Sequence, residues 1–125
     1  MSFMQMSFPH IHGHQDDEIL DHIANIDDFQ IVAKRFDLLS DTTRLKIFWI
    51  LCHREKCVLE LSKMMQITSA AISHHLKALK EAGLILSRRK KKEVYYQVAE
   101  SKETKFLHDM IEDLLNIACP GDQEQ

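Results

Sequence analysis

Between Thr68 and Leu84 the chain reads Thr-Ser-Ala-Ala-Ile-Ser-His-His-Leu-Lys-Ala-Leu-Lys-Glu-Ala-Gly-Leu, and no other stretch constrains the fold as tightly. Ile72, Leu76 and Leu79 recur at four and three residues, which sets them along one stripe of an α-helix. Ser69, Ala70, Ser73, His74, Lys77 and Lys80 fall on the other side. Thr68 stands where an N-cap is needed, and Gly83 where the helix must end in a residue that tolerates positive φ. A helix with an apolar back and a short, polar, cationic front can approach a duplex closely. Its hydroxyl, imidazole and ammonium groups suit phosphates and base edges, so the spacing predicts a DNA recognition helix.

A net charge of −3 looks wrong for such a helix until it is divided along the chain. Residues 40 to 100 carry 12 Lys/Arg against 6 Asp/Glu, residues 1 to 39 carry 2 against 7, and residues 101 to 125 carry 2 against 6. Positive charge is thus concentrated around the candidate recognition helix, as an electrostatic footprint on phosphate requires. A length of 125 residues with 45% hydrophobic residues suits a single domain with its own core. No apolar run approaches the roughly 18 residues of a membrane span, so no membrane partner is expected. Without the pattern of a signal peptide, and with three cysteines too few for a disulfide framework, the protein is expected to be cytoplasmic with reduced thiols.

Residues 1–15 are read as a flexible, histidine-containing arm, residues 16–118 as the folded domain and residues 119–125 as a tail. Ile19, Leu20, Ile23, Ala24 and Ile26 predict an amphipathic helix from Asp16 with acid in its first turn, followed by a second helix or continuation through Phe29, Val32, Ala33, Phe36 and Leu39. Ser40 or Asp41 caps the next, strongly apolar helix (Leu45, Phe48, Trp49, Leu51, Cys52). A short helix with Val58, Leu61 and Met65 precedes the recognition helix closely enough for a helix-turn-helix. Leu84–Arg89 and Glu93–Val98 are strand-like and flank Arg88, Arg89, Lys90, Lys91 and Lys92, giving a hairpin with a basic tip but no Gly or Asn in its turn. A final helix over about Ser101–Ala118 is ended by Pro120-Gly121. The fold class is mainly α with a small β-hairpin, a winged helix-turn-helix.

Four segments carry a resemblance. Leu39-Ser40-Asp41-Thr42-Thr43-Arg44-Leu45-Lys46-Ile47, Cys57-Val58-Leu59-Glu60-Leu61, Ser73 through Ile85, and Val94-Tyr95-Tyr96-Gln97-Val98 resemble, in order and spacing, the ArsR/SmtB family of metal-sensing bacterial repressors. The resemblance covers residues 29 to 117 and implies a homodimer whose first and last helices pack together. It also implies two recognition helices in successive major grooves of double-stranded operator DNA, and release of that DNA on metal binding. Ser69, Ser73, His74 and Lys77 would lie at the groove, Thr68 near phosphate, His75 would either pack or reach phosphate, and Arg88, Arg89, Lys90, Lys91 and Lys92 would lie on the backbone or an adjacent minor groove.

The family's site beside the short helix has a Cys-Val-Cys-Asp motif completed by Cys or His from the arm. Here Cys57 matches its first cysteine and Glu60 its aspartate, while Leu59 replaces the second cysteine, which argues against an all-thiolate site. His10, His12 and His14 on the arm, with Cys57 and Glu60, would give a mixed set suited to Zn²⁺ as the regulatory ligand, and His22 is a secondary candidate. The blander reading makes Cys57 a buried apolar thiol. At the family's last-helix site, Glu100-Ser101-Lys102 places Lys where His is expected; His108 and Glu112, four residues apart, remain secondary candidates. His53 is read as a helix-end residue and Cys52 as core. No nucleophile-base pair, phosphate loop or His-Glu-x-x-His pattern supports an enzyme. The alternatives are a repressor of this family that senses thiol oxidation or no metal, and a zinc-binding carrier or interaction protein.

Overall fold

The structure is a computed structural model that describes residues 14–24 and 28–118. Among the described residues, six helices and three short strands run α1 (His14–Ala24), α2 (Asp28–Leu39), α3 (Thr42–His53), β1 (Lys56–Cys57), α4 (Val58–Met65), α5 (Ser69–Glu81), β2 (Ile85–Lys90), β3 (Glu93–Val98) and α6 (Lys102–Ala118). Of the described residues, those up to Lys34 form one unit and those from Arg35 a second. In the first, α1 begins two residues before the expected Asp16 and has Asp16 and Asp17 in its first turn, where the helix dipole favours acid.

The second unit is built around α3. Asp41 caps it, Oδ1 accepting the Arg44 backbone N–H at 2.9 Å. With apolar residues nearly all round, α3 has to be central, and its Ile47, Phe48 and Leu51 are fully buried. Leu61 of α4, Ile72, Leu76 and Leu79 of α5, and Leu84 and Ile85 beyond them complete the fully buried set. Burying each such side chain is worth about 1.5–3 kcal/mol, so the helix-turn-helix and the root of the wing are the most strongly held part of the unit. α4 ends at Gln66, in left-handed backbone with φ 59°, and the chain turns through Ile67 into α5.

The end of α5 follows its sequence closely. Gly83 has φ +78°, its N–H donates to Lys80 O at 2.9 Å, and the Leu84 N–H donates to Leu79 O at 3.1 Å. These two bonds form a Schellman motif, and Leu79 and Leu84, both buried, are its usual apolar pair. The strands form an antiparallel sheet in the order β1–β3–β2, with Lys90 opposite Glu93 and Ile85 opposite Val98. β1 is an addition to the expected hairpin: it pairs Lys56 with Tyr96 and Cys57 with Tyr95. α6 buries Thr104, Leu107 and Ile111 but exposes Phe106, Leu114, Leu115 and Ile117, and α2 exposes Phe36 near its end.

Candidate nucleic-acid interface and metal centre

The front of α5 is as its spacing predicts: Ser69, Ala70, Ser73, His74 and Lys77 are all exposed, opposite the buried stripe. Thr68 is also exposed, and its Oγ1 accepts the Ala71 N–H at 3.1 Å, so the hydroxyl serves the cap as well as facing outward. His75 takes the packed one of its two expected places. Only 13% of its side chain is exposed; Nδ1 accepts from Arg44 Nε at 3.2 Å and Nε2 lies 3.9 Å from Asp41 Oδ1. Burial lowers its pKa, Asp41 works against that shift, and Arg44 and His74 reinforce it. His75 therefore packs α5 against the start of α3.

In the wing, Lys91 and Lys92 form a two-residue loop between the paired Lys90 and Glu93. Lys91 takes φ 60° without being Gly or Asn, which leaves its ammonium at the tip of the hairpin. Arg89, Lys90, Lys91 and Lys92 are exposed. Arg88 is not a free cation: its guanidinium grips Glu55 through two bonds, Nε to Oε2 at 2.5 Å and Nη2 to Oε1 at 2.8 Å. The pair lowers the pKa of Glu55 and raises that of Arg88. It ties β2 to the residue before β1, so Arg88 anchors the wing while its side chain stays exposed.

Of the expected metal ligands, His10 and His12 lie outside the described residues and His14 opens α1. Cys57 is buried, and Glu60 Oε1 accepts its backbone N–H at 3.0 Å as the first turn of α4 forms. His22 is exposed on α1, beside Glu18, Ile19 and Ile23. His108 and Glu112 do come together, with Nε2 and Oε2 3.4 Å apart, and a residue that the sequence does not mark as a ligand joins them. The Nε2 of His53 lies 3.3 Å from His108 Nε2 and 3.9 Å from Glu112 Oε2. His53 Nδ1 is 2.8 Å from Trp49 O, His108 Nδ1 is 3.2 Å from Asp109 Oδ1, and Trp49 Nε1 donates to Glu112 Oε2 at 2.8 Å. Lys105 first and His108 second hold the Asp109 carboxyl below its ordinary range. Half-buried Cys52 packs against the core; burial, and then the charge of Glu112, push its thiol up to about 11.

A polar helix front, a close-packed helix behind it and a basic hairpin beside it define a winged helix-turn-helix DNA-binding protein. Residues 41–87 match the family described as bacterial regulatory protein, arsR family. The chain is 31% identical over 93 residues to the transcriptional repressor SmtB homolog of Synechocystis sp., spanning 74% of this chain and 70% of that protein. It is 40% identical over 83 residues to the cadmium resistance transcriptional regulatory protein CadC homolog of Staphylococcus aureus, spanning 62% of this chain and 69% of that protein. HlyU from Vibrio cholerae N16961 shares the fold with a TM-score of 0.65 at 26% identity, over 70% of this chain and 95% of HlyU. The chain belongs to the ArsR family of bacterial transcriptional regulators, as its sequence motifs imply. Its relatives are DNA-binding regulators rather than enzymes.

Proposed function

We propose that the protein is a cytoplasmic, homodimeric repressor that holds operator DNA while metal-free and releases it on binding a divalent metal ion, zinc in the first instance, so that efflux or storage genes are expressed. The observation that carries the DNA part is the exposed row Ser69, Ser73, His74 and Lys77, set on a helix whose back is fully buried and whose end feeds a basic wing. Exposed Phe106, Leu114, Leu115 and Ile117 on α6 are too apolar to face water in a working protein, which supports a second subunit covering them. The metal part draws on relatives named for cadmium resistance and on a chain rich in imidazole, the donor that suits zinc. Buried Cys57 gives little support to a thiol-oxidation sensor.

The test is fluorescence anisotropy of the full chain on a duplex from its own promoter. Zinc should weaken binding and a chelator should restore it. Equal affinity with and without zinc, cobalt and cadmium would remove the metal-responsive part of the reading.

A further inference from the structure

The three side chains that meet at the join of α3 and α6 leave a chemical imbalance. Trp49 O is a carbonyl and can only accept, so His53 Nδ1 must be its protonated nitrogen. The Asp109 carboxylate can only accept, so His108 Nδ1 carries a proton too. In the neutral imidazoles both Nε2 atoms are then bare lone pairs, facing each other at 3.3 Å. Glu112 Oε2, another acceptor, lies 3.4 Å from one and 3.9 Å from the other. In that form three acceptors converge with no donor among them, and a cation is what such a point attracts.

The spacing suits one. Zinc bonds of about 2.0–2.1 Å in a tetrahedron place neighbouring ligand atoms about 3.3–3.4 Å apart. Two of the three separations already have that value, and the third, His53 Nε2 to Glu112 Oε2, is 3.9 Å. The outer partners are of the kind that orient metal ligands: a carbonyl on one imidazole, a carboxylate on the other, and the Trp49 indole N–H on Glu112. On the open side lies a cavity of about 400 Å³ bounded by Cys52, Ser101, Thr104 and Lys105, room for a water as fourth ligand. Lys105 does not oppose a cation there as a free charge, because its ammonium pairs with Asp109 at 3.0 Å. The ligand atoms that lie within 4.8 Å of one another are those of His53, His108 and Glu112, so the donor set is two imidazoles and a carboxylate.

We propose that His53, His108 and Glu112 of a single subunit hold one divalent transition-metal ion, and that this is the ion through which metal acts on DNA affinity. The regulatory half rests on the function proposed above. α3 is the connecting bar: its last residue is His53, while Arg44 in its first turn donates to His75 of the recognition helix. Clamping α3 to α6 therefore reaches α5 through a rigid, buried helix.

The experiment is Co²⁺ and Zn²⁺ titration of the full chain, as wild type, His53→Gln, His108→Gln, Glu112→Gln, Cys57→Ser and a variant lacking residues 1–14. Metal-free promoter affinity and the circular dichroism spectrum confirm that each variant is folded. The site predicts four-coordinate cobalt bands without a thiolate charge-transfer band, intact in Cys57→Ser and in the truncated chain. The two His variants should lose that ion, with affinity reduced about 100-fold or more, since even outer-shell partners are worth about 10–100-fold. Zinc should no longer weaken their DNA binding. Unchanged cobalt affinity in both His variants, or a thiolate band abolished by Cys57→Ser, would overturn the site. A zinc response of normal size in the His variants would overturn its regulatory role while leaving a metal-responsive repressor standing. Wild type that loads cobalt at these residues yet holds DNA equally well would instead overturn the proposed function.

Discussion

Replacing Lys90, Lys91 and Lys92 together by Gln separates the wing's contribution from that of the recognition helix. All three are exposed, and Lys91 and Lys92 form the loop itself, so the change removes three charges without touching the core. Neutralising one cation that sits on a phosphate lowers the slope of log affinity against log salt by about 0.9, so three lysines account for about 2.7 per wing. Between 50 and 200 mM salt, a slope of that size corresponds to about 40-fold in affinity per wing. Arg88→Gln provides the contrast: its guanidinium is already satisfied by Glu55, so its replacement should alter the slope by less than a single lysine does while loosening the wing's seating. The assay is anisotropy on promoter and unrelated duplexes across that salt range, where the triple variant should weaken both equally. An unchanged slope in the triple variant, or a slope change in Arg88→Gln equal to that of a lysine, would refute the division of labour in the wing.

Gly83→Ala should cost about 1 kcal/mol, seen as a lower urea midpoint at unchanged m, because φ +78° is disfavoured by any Cβ even though a Cβ there would meet nothing within 4 Å. Burial depresses the pKa of His75 from 6.5, so the unfolded chain takes up that proton first. The contribution is complete above about pH 6.5 and is lost as pH falls below it, and His75→Gln should flatten the fall in urea midpoint between pH 7.5 and 5.5. With its pKa raised from 9.0 to about 11, Cys52 should carry about a hundredfold less thiolate at pH 8 than an ordinary thiol; mass spectrometry of an iodoacetamide time course should find it labelled slowly, and faster in Glu112→Gln.

The features legible in the sequence are those written in neighbouring residues. The Ile72, Leu76 and Leu79 stripe, the Thr68 and Asp41 caps and the Gly83 stop each rest on interactions within a few positions, and all stand in the structure. β1 has only two residues, too short for any period, and exists because Tyr95 and Tyr96 pair with it from almost forty residues away. His53 is hidden for the same reason: its partners lie on α6, and nothing around it in the chain marks a ligand, whereas His108 and Glu112 share a helix face that their spacing reveals. His75 is left open by its residue type. It stands three residues after Ile72 and four before Leu79, next to the buried stripe, so its position, and not its polarity, decides where it points. Arg88 looks like part of the basic tip because the charge run hides its pairing with Glu55, 33 residues earlier.

The most direct test of the whole account compares the affinity of the full chain for its own promoter duplex with that for a scrambled duplex at one salt concentration, in wild type and in Ser73→Ala with Lys77→Ala. The wild type should prefer the promoter by about 10³ or more. The double variant should lose about tenfold or more of that preference per substituted side chain while its binding to the scrambled duplex changes little. A preference untouched by the two substitutions, or no binding to either duplex at 50 mM salt, would contradict the assignment of α5 as the element that reads DNA.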